Sequence, residues 1–221
     1  LYTGNSMPEL LLNTYYQPIR AEFQNLPDRI VEKIAKNILI STGGADAAHM
    51  GLEIIKAIMS HKEWDEYHFH FIVGMMNDDG ELISSLAEGH ENIILHKRVK
   101  KMSELMQQCD VAISAAGNTM YELCATQTPS LTYVIADNQI PGAEGFEKAG
   151  VLKSAGDIRV LGRKELAEKI LSDAVALADN YEERVEIAAR MKTVVDGKGA
   201  DRIVKAVYEI RNGVILTDDE D

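Results

Sequence analysis

Residues 110–139, reading DVAISAAGNTMYELCATQTPSLTYVIADNQ, carry the residue types best suited to hold a phosphorylated ligand. The β-branched run 110–114 is followed by Ala115, Ala116, Gly117 and Asn118, and good helix formers occupy 119–125. A glycine turn opening a helix presents unpaired backbone N–H groups at the positive end of the helix dipole, which suits a phosphate or diphosphate. Glu122 follows one turn in, where its carboxylate would stand near a ribose. Gly117 and Asn118 alone read equally well as a tight loop between strand and helix with an asparagine N-cap. A second polar element, Ala136-Asp-Asn-Gln139, follows the next apolar strand. In an open parallel sheet, loops after consecutive strands open onto the same edge, where ligands bind. Gly43 and Gly44, after an earlier strand, add a loop whose backbone can approach a ligand closely or simply turn.

Other chemistry finds less support. There is no G-x-G-x-x-G or G-x-x-x-x-G-K-[ST] loop and no G-x-S-x-G elbow, so dinucleotide, P-loop and serine-triad readings lack their motifs. His68 and His70 alternate on a strand and share a face, but no third ligand follows at a useful spacing, so no metal is expected. Cys109 and Cys124 read as reduced thiols packed in the core. No acid, base or nucleophile stands out, and no cofactor is implied.

The elements that position these residues alternate. Strands are expected over 37–41, 67–73, 92–95, 110–114 and 130–135, with a short edge strand at Val151 and Leu152. Helices are expected over 46–60, capped by Asp46, and over 79–88, 101–108, 119–125, 142–149, 163–178, 181–195 and 200–210. Such alternation implies an α/β fold with a Rossmann-like parallel sheet and helices on both faces. Residues 1–26 form an arm or interdomain connector, 27–212 the domain, and 213–221 an acidic tail expected to be disordered.

The chain of 221 residues carries a formal net charge of −12, which argues against a nucleic-acid or anionic-membrane surface. It contains no long apolar run and no export signal, so a cytoplasmic location without a membrane span is expected.

Four stretches, 37–46 (NILISTGGAD), 102–110 (MSELMQQCD), 115–123 (AAGNTMYEL) and 136–139 (ADNQ), together resemble the UDP-sugar hydrolase family of pseudaminic acid biosynthesis and its spore-coat polysaccharide relatives. That family is similar in fold to the N-acetylglucosaminyltransferase that makes the last lipid intermediate of peptidoglycan. The resemblance spans 11–195, including a connector at 11–23. It implies the donor nucleotide-binding C-terminal domain of a GT-B architecture. It also implies that the Val99 backbone and Met102 flank a uracil, and that Ala116, Gly117, Asn118 and Thr119 hold a diphosphate by main-chain N–H groups. Glu122 would accept from the ribose hydroxyls, since a carboxylate can serve a vicinal diol. Asn138 and Gln139 would contact the sugar or phosphates, and Gly43 and Gly44 would approach the same ligand.

The family's G-x-G-H-x-x-R loop, with its catalytic histidine, does not occur in this sequence. The expectation is therefore a nucleotide-binding half plus linker, as a fragment or one subunit of a split enzyme, which binds UDP or a UDP-sugar without turning it over. The apolar arm would pack on this domain, on a separate N-terminal domain or on a second copy of the chain. The alternatives are the donor half of a UDP-sugar glycosyltransferase and a non-catalytic nucleotide-binding module.

Overall fold

The structure, a computed structural model, describes residues 14–211. Among them six parallel strands form one sheet: β1 Asn37–Ser41, β2 His68–Val73, β3 Ile93–Lys97, β4 Val111–Ala115, β5 Ser130–Val134 and β6 Lys153–Asp157. Their order is β3-β2-β1-β4-β5-β6. Chain direction across the sheet therefore reverses between β1 and β4, and the carboxyl ends of these two strands flank the crevice in which ligands of open α/β sheets bind. Helices α1 Met50–Ser60, α2 Gly80–Ala87, α3 Met102–Gln108, α4 Thr119–Ala125 and α5 Ile140–Lys148 supply the crossovers. After β6 come α6 Ile158–Leu161, α7 Arg163–Asp179, α8 Tyr181–Val194 and α9 Gly199–Arg211.

The register explains the core. Ile38 pairs with Val111 and with Phe69, and Ile40 with Ile113 and with Phe71, so the large side chains of successive strands line up on one face. Gly51 of α1 sits so close to Phe71 and to Ile83 of α2 that both helices must cover that face. The opposite face carries smaller buried side chains, Ser41, Ser114, Ser130 and Thr132. Thr132 Oγ1 donates to the Ser114 carbonyl at 3.1 Å, which satisfies one of these buried hydroxyls within the sheet. Cys109 and Cys124 are free and buried, and burial pushes the Cys109 thiol up to about 12.

Three expectations are corrected. The first helix begins at Met50, because residue 46 is left-handed (φ 46°) and so is His49 (φ 54°). Asp46 nevertheless caps the helix: its carboxylate accepts from the N–H groups of Met50 (3.0 Å) and Gly51 (2.8 Å) across an intervening turn. Val151 and Leu152 are buried but precede the edge strand, which is the polar run Lys153–Asp157. That run lacks β-branched residues, and its pairing to β5 shifts register between Thr132 and Tyr133. Asn118 stands at the N-cap of α4, but its side chain makes no capping bond.

The described part of the arm lies against the domain. Thr14–Tyr16 and Ala21–Phe23 form single 3-10 turns, and Phe23 is buried. Arg29 donates to the carbonyls of Met106 (3.3 Å), Gln107 (3.4 Å) and Cys109, closing the carboxyl end of α3 where carbonyls lack helical partners. Arg184 of α8 is fully buried and donates to the carbonyls of Glu32 (2.9 Å) and Lys33 (3.1 Å). The Asp110 carboxylate accepts from the N–H groups of Lys36 and Asn37, both at 2.9 Å, fixing the entry into β1. Residues 1–13 and the tail expected to be disordered lie outside the described residues.

Candidate functional site

The crevice between β1 and β4 is framed by two loops. The first runs from the end of β1 through Gly43 (φ 90°) and Gly44, both exposed at its tip. It is held from behind: Met76 N–H donates to the Gly44 carbonyl at 3.2 Å, and Gly74 backs directly onto the Gly44 backbone. Asp46, at the base of this loop, is buried to 3% exposure. Burial raises its carboxyl above the usual range, against the opposing pull of the Gly51 and Met50 N–H groups.

The second loop, after β4, divides its backbone donors. Ala116 N–H continues the sheet to the Tyr133 carbonyl (2.8 Å), and Gly117 N–H closes on the Ala115 carbonyl (2.8 Å). The N–H groups of Asn118 and Thr119 have no acceptor among the described residues and stand at the start of α4. Of the four residues expected to hold a diphosphate, two thus have free main-chain donors, while Ala116 and Gly117 shape the turn. A side chain at Gly117 would meet nothing within 4 Å, so the space above the turn is open.

Glu122, in the first turn of α4, has its side chain 14% exposed. Its Oε1 accepts from Arg20 Nε at 2.9 Å, a contact across 102 residues of sequence. Arg20 is half-exposed and also pairs with Glu22 at 3.0 Å. Burial alone would pull the Arg20 guanidinium down, but Glu122 and Glu22 hold it above its ordinary value. Glu22 Oε2 in turn accepts from the N–H and the hydroxyl of Ser103, both at 3.2 Å, at the start of α3. Val99 and Met102, on the loop after β3 and at the first residue of α3, pack partly buried against the core. The connector thus reaches both the Glu122 turn and the Met102–Ser103 turn. Sequence reasoning marked 11–23 as connector but gave Arg20 and Glu22 no part in the site. The available signal was two charges, two residues apart, set between the apolar Ile19 and Phe23.

After β5, Asp137–Gln139 forms a 3-10 turn. Gln139 Oε1 accepts from the Ile135 N–H at 2.9 Å, leaving the amide NH2 to donate elsewhere, and Asn138 is exposed. All the candidate residues therefore lie in loops at, or helix turns next to, the carboxyl edge of the sheet.

The histidine pair lies elsewhere. His70 Nδ1 faces His96 Nε2 at 3.0 Å, and His70 Nε2 faces Asn37 Oδ1 at 3.1 Å. Because Asn37 Oδ1 can only accept, His70 Nε2 donates and its Nδ1 accepts from His96. Burial, with lesser contributions from His96 and His68, lowers His70 to about 4. No group of three or more potential metal ligands occurs among the described residues.

A model of the glycosyltransferase family 28 C-terminal domain matches residues 28–206. The chain belongs to this family. The family 28 domain is 22% identical over 201 residues to the spore coat polysaccharide biosynthesis protein SpsG of Bacillus subtilis, covering 91% of this chain and 56% of that protein. It is 31% identical over 142 residues to a Helicobacter pylori protein named pseudaminic acid cytidylyltransferase and UDP-2,4-diacetamido-2,4,6-trideoxy-beta-L-altropyranose hydrolase, covering 64% of this chain and 25% of that one. The chain thus spans little more than half of the first relative and a quarter of the second. Among solved structures, MurG of Acinetobacter baumannii superposes with a TM-score of 0.60 at 13% identity, over 93% of this chain and 57% of that one. The S. aureus MnaA–UDP co-structure superposes with a TM-score of 0.63 at 19% identity, over 85% and 49%. The fold of the family 28 domain is therefore the Rossmann-like C-terminal half of the GT-B architecture. No helix among its described residues is long and apolar enough to cross a membrane.

Proposed function

We propose that this family 28 domain is the UDP-sugar-binding half of a nucleotide-sugar hydrolase acting on a UDP-linked amino sugar in surface or spore-coat polysaccharide biosynthesis. The observation that carries the reading is the meeting, at the β1–β4 crevice, of two free backbone donors at Asn118 and Thr119 with the Glu122 carboxylate one turn further on. Donors at a helix start suit a diphosphate, and the acceptor beyond them suits a ribose diol. With Arg20 on Oε1, Glu122 Oε2 is the oxygen that takes the ribose hydroxyls. Met102 and the Val99 backbone flank the uracil, Asn138 and Gln139 contact the sugar or phosphates, and the Gly43–Gly44 tip approaches the same ligand.

Several solved neighbours support a nucleotide here: one is bound to UDP, and the UDP-GlcNAc 2-epimerase of Neisseria meningitidis is bound to UDP-GlcNAc. The hydrolase assignment is supported by the 31% identity to the H. pylori protein. In that reaction water adds to the anomeric carbon, the bond to the diphosphate oxygen breaks, and UDP leaves. The backbone donors at the start of α4 stabilise the leaving charge, so this half needs no metal for that task. The water's proton passes to a base that we do not assign to any residue of this chain. The family's name is compatible with a second reading, a glycosyltransferase half in which a hydroxyl replaces the water.

Calorimetric titration with UDP, and with ADP as control, tests the site. UDP binds in preference to ADP, and Glu122→Ala weakens it about ten- to a hundredfold, as loss of a charge-assisted hydrogen bond worth roughly 1.5–3 kcal/mol requires. Equal binding of both nucleotides, or heat from neither in a folded sample, would remove the donor-site reading. Release of UDP from a UDP-sugar without added acceptor separates hydrolase from transferase.

A further inference from the structure

The polar chain from Ser103 through Glu22 and Arg20 to Glu122 joins the first turns of two successive helices, α3 and α4, through residues of the connector that lie about 80 to 100 positions earlier in the chain. One end is the turn carrying Met102, and the other carries the proposed ribose ligand. Arg20 stands between two carboxylates whose side chains are only 15% and 14% exposed, while its own is 50% exposed. A guanidinium on a short surface segment has several rotamers open to it, and two opposed carboxylates restrict it to one. Glu22 also receives both donors of the buried Ser103, so its carboxylate cannot swing away without leaving that hydroxyl and N–H unpaired. The Arg20 guanidinium, over the ring of buried Phe23 at 5.0 Å, gains a further restraint from the same turn.

We propose that Glu22 is a positioning residue of the nucleotide site: anchored on Ser103, it holds Arg20 against Glu122 and fixes the spacing between the uracil-side turn of α3 and the ribose-side turn of α4. This rests on the UDP-site reading above. When ribose hydroxyls draw on Glu122, its hold on Arg20 weakens, and Glu22 keeps the guanidinium in place. A nucleotide bound at both turns then meets a preset distance rather than having to order the connector itself.

The test is a double-mutant cycle read by UDP titration. Glu22→Gln, nearly the same shape without the charge, raises the UDP dissociation constant about fivefold in the otherwise wild-type chain, within the range for groups of one network. In the Arg20→Met background the same substitution changes it less than about twofold, since the residue through which Glu22 acts is gone. A merely structural role would lower the unfolding temperature in both backgrounds and shift affinity equally in both, which overturns the proposal. So does a Glu22→Gln dissociation constant within twofold of wild type. Should Glu22→Gln fail to fold, Glu22→Asp, which keeps the charge but withdraws it by one methylene, carries the same cycle. Wild-type chain that binds no UDP removes the donor-site reading and this proposal together. Wild-type binding with a flat cycle removes this proposal alone.

Discussion

Replacing Gly74 by alanine puts one methyl group where the structure has no room for it. An added Cβ would lie 2.6 Å from the Gly44 carbonyl carbon and 2.8 Å from its Cα, against the roughly 3.5–4.0 Å at which carbon atoms rest in contact. The obstacle is backbone rather than a side-chain end, so either β2 or the Gly43–Gly44 loop must move by about 1 Å. Overpacking of this kind costs about 1–3 kcal/mol. For a chain of this size that corresponds to a fall in unfolding temperature of roughly 2–12 °C. The loop is the softer side, since its tip is exposed while β2 pairs with strands on both sides. Affinity for a UDP-sugar should therefore fall together with stability, by about two- to tenfold if one hydrogen bond from the displaced loop is lost. Urea unfolding with an unchanged slope, beside titration with ligand, reads both effects. Gly145→Ala is the control of opposite sign: it lies in α5, an added Cβ meets nothing within 4 Å, and stability should rise by up to about 1 kcal/mol. A Gly74→Ala chain as stable as wild type within about 0.5 kcal/mol would show that the β2 loop does not brace Gly44.

Two further outcomes follow from partly buried groups. His70 is held at about 4 in the folded chain against an ordinary 6.5, so the folded state binds fewer protons than the unfolded one and stability falls as pH drops below 6.5. The full difference is worth about 3 kcal/mol, which partial solvent contact reduces to roughly 2. His70→Gln should flatten the stability profile between pH 7 and pH 4.5 by that amount, whereas profiles that stay parallel would deny His70 the role. Arg29→Met should cost about 2–4 kcal/mol in urea unfolding, because it strips donors from the Met106, Gln107 and Cys109 carbonyls and from Thr128 Oγ1. A loss below about 0.5 kcal/mol would mean that water replaces the guanidinium at no cost.

The central sheet is legible in the sequence because Asn37–Ser41, Val111–Ala115 and Ser130–Val134 are short apolar runs bounded by turn residues, and all but Asn37 are buried. The edge strand is not, because Lys153–Asp157 has one fully buried side chain, Ala155, and owes its conformation to pairing with β5. The start of α1 was displaced for a related reason. Asp46 looks like an adjacent N-cap, yet it is itself at positive φ and a second such residue, His49, stands before the helix, and no local propensity announces them. At the candidate site, the loops that share the carboxyl edge follow from strand alternation alone. The partner of Glu122 does not, since an ion pair spanning 102 residues is fixed by how the connector crosses α3 and α4. The allotment of donors in the β4 loop was hidden too: which of Ala116, Gly117, Asn118 and Thr119 keeps a free N–H depends on where the ladder to β5 stops.

The seating of the connector also sets how this domain can be exchanged between related proteins. Phe23 fills the core, Gly199 admits the Gln17 backbone with no space for a side chain, and Arg29 and Arg184 tie the following residues to α3 and α8. A chimera joined within residues 14–36 would inherit one half of each contact from each parent and satisfy neither. A crossover placed ahead of Thr14 carries the strap together with its seat, and the recombination unit is accordingly longer than the six strands and their helices.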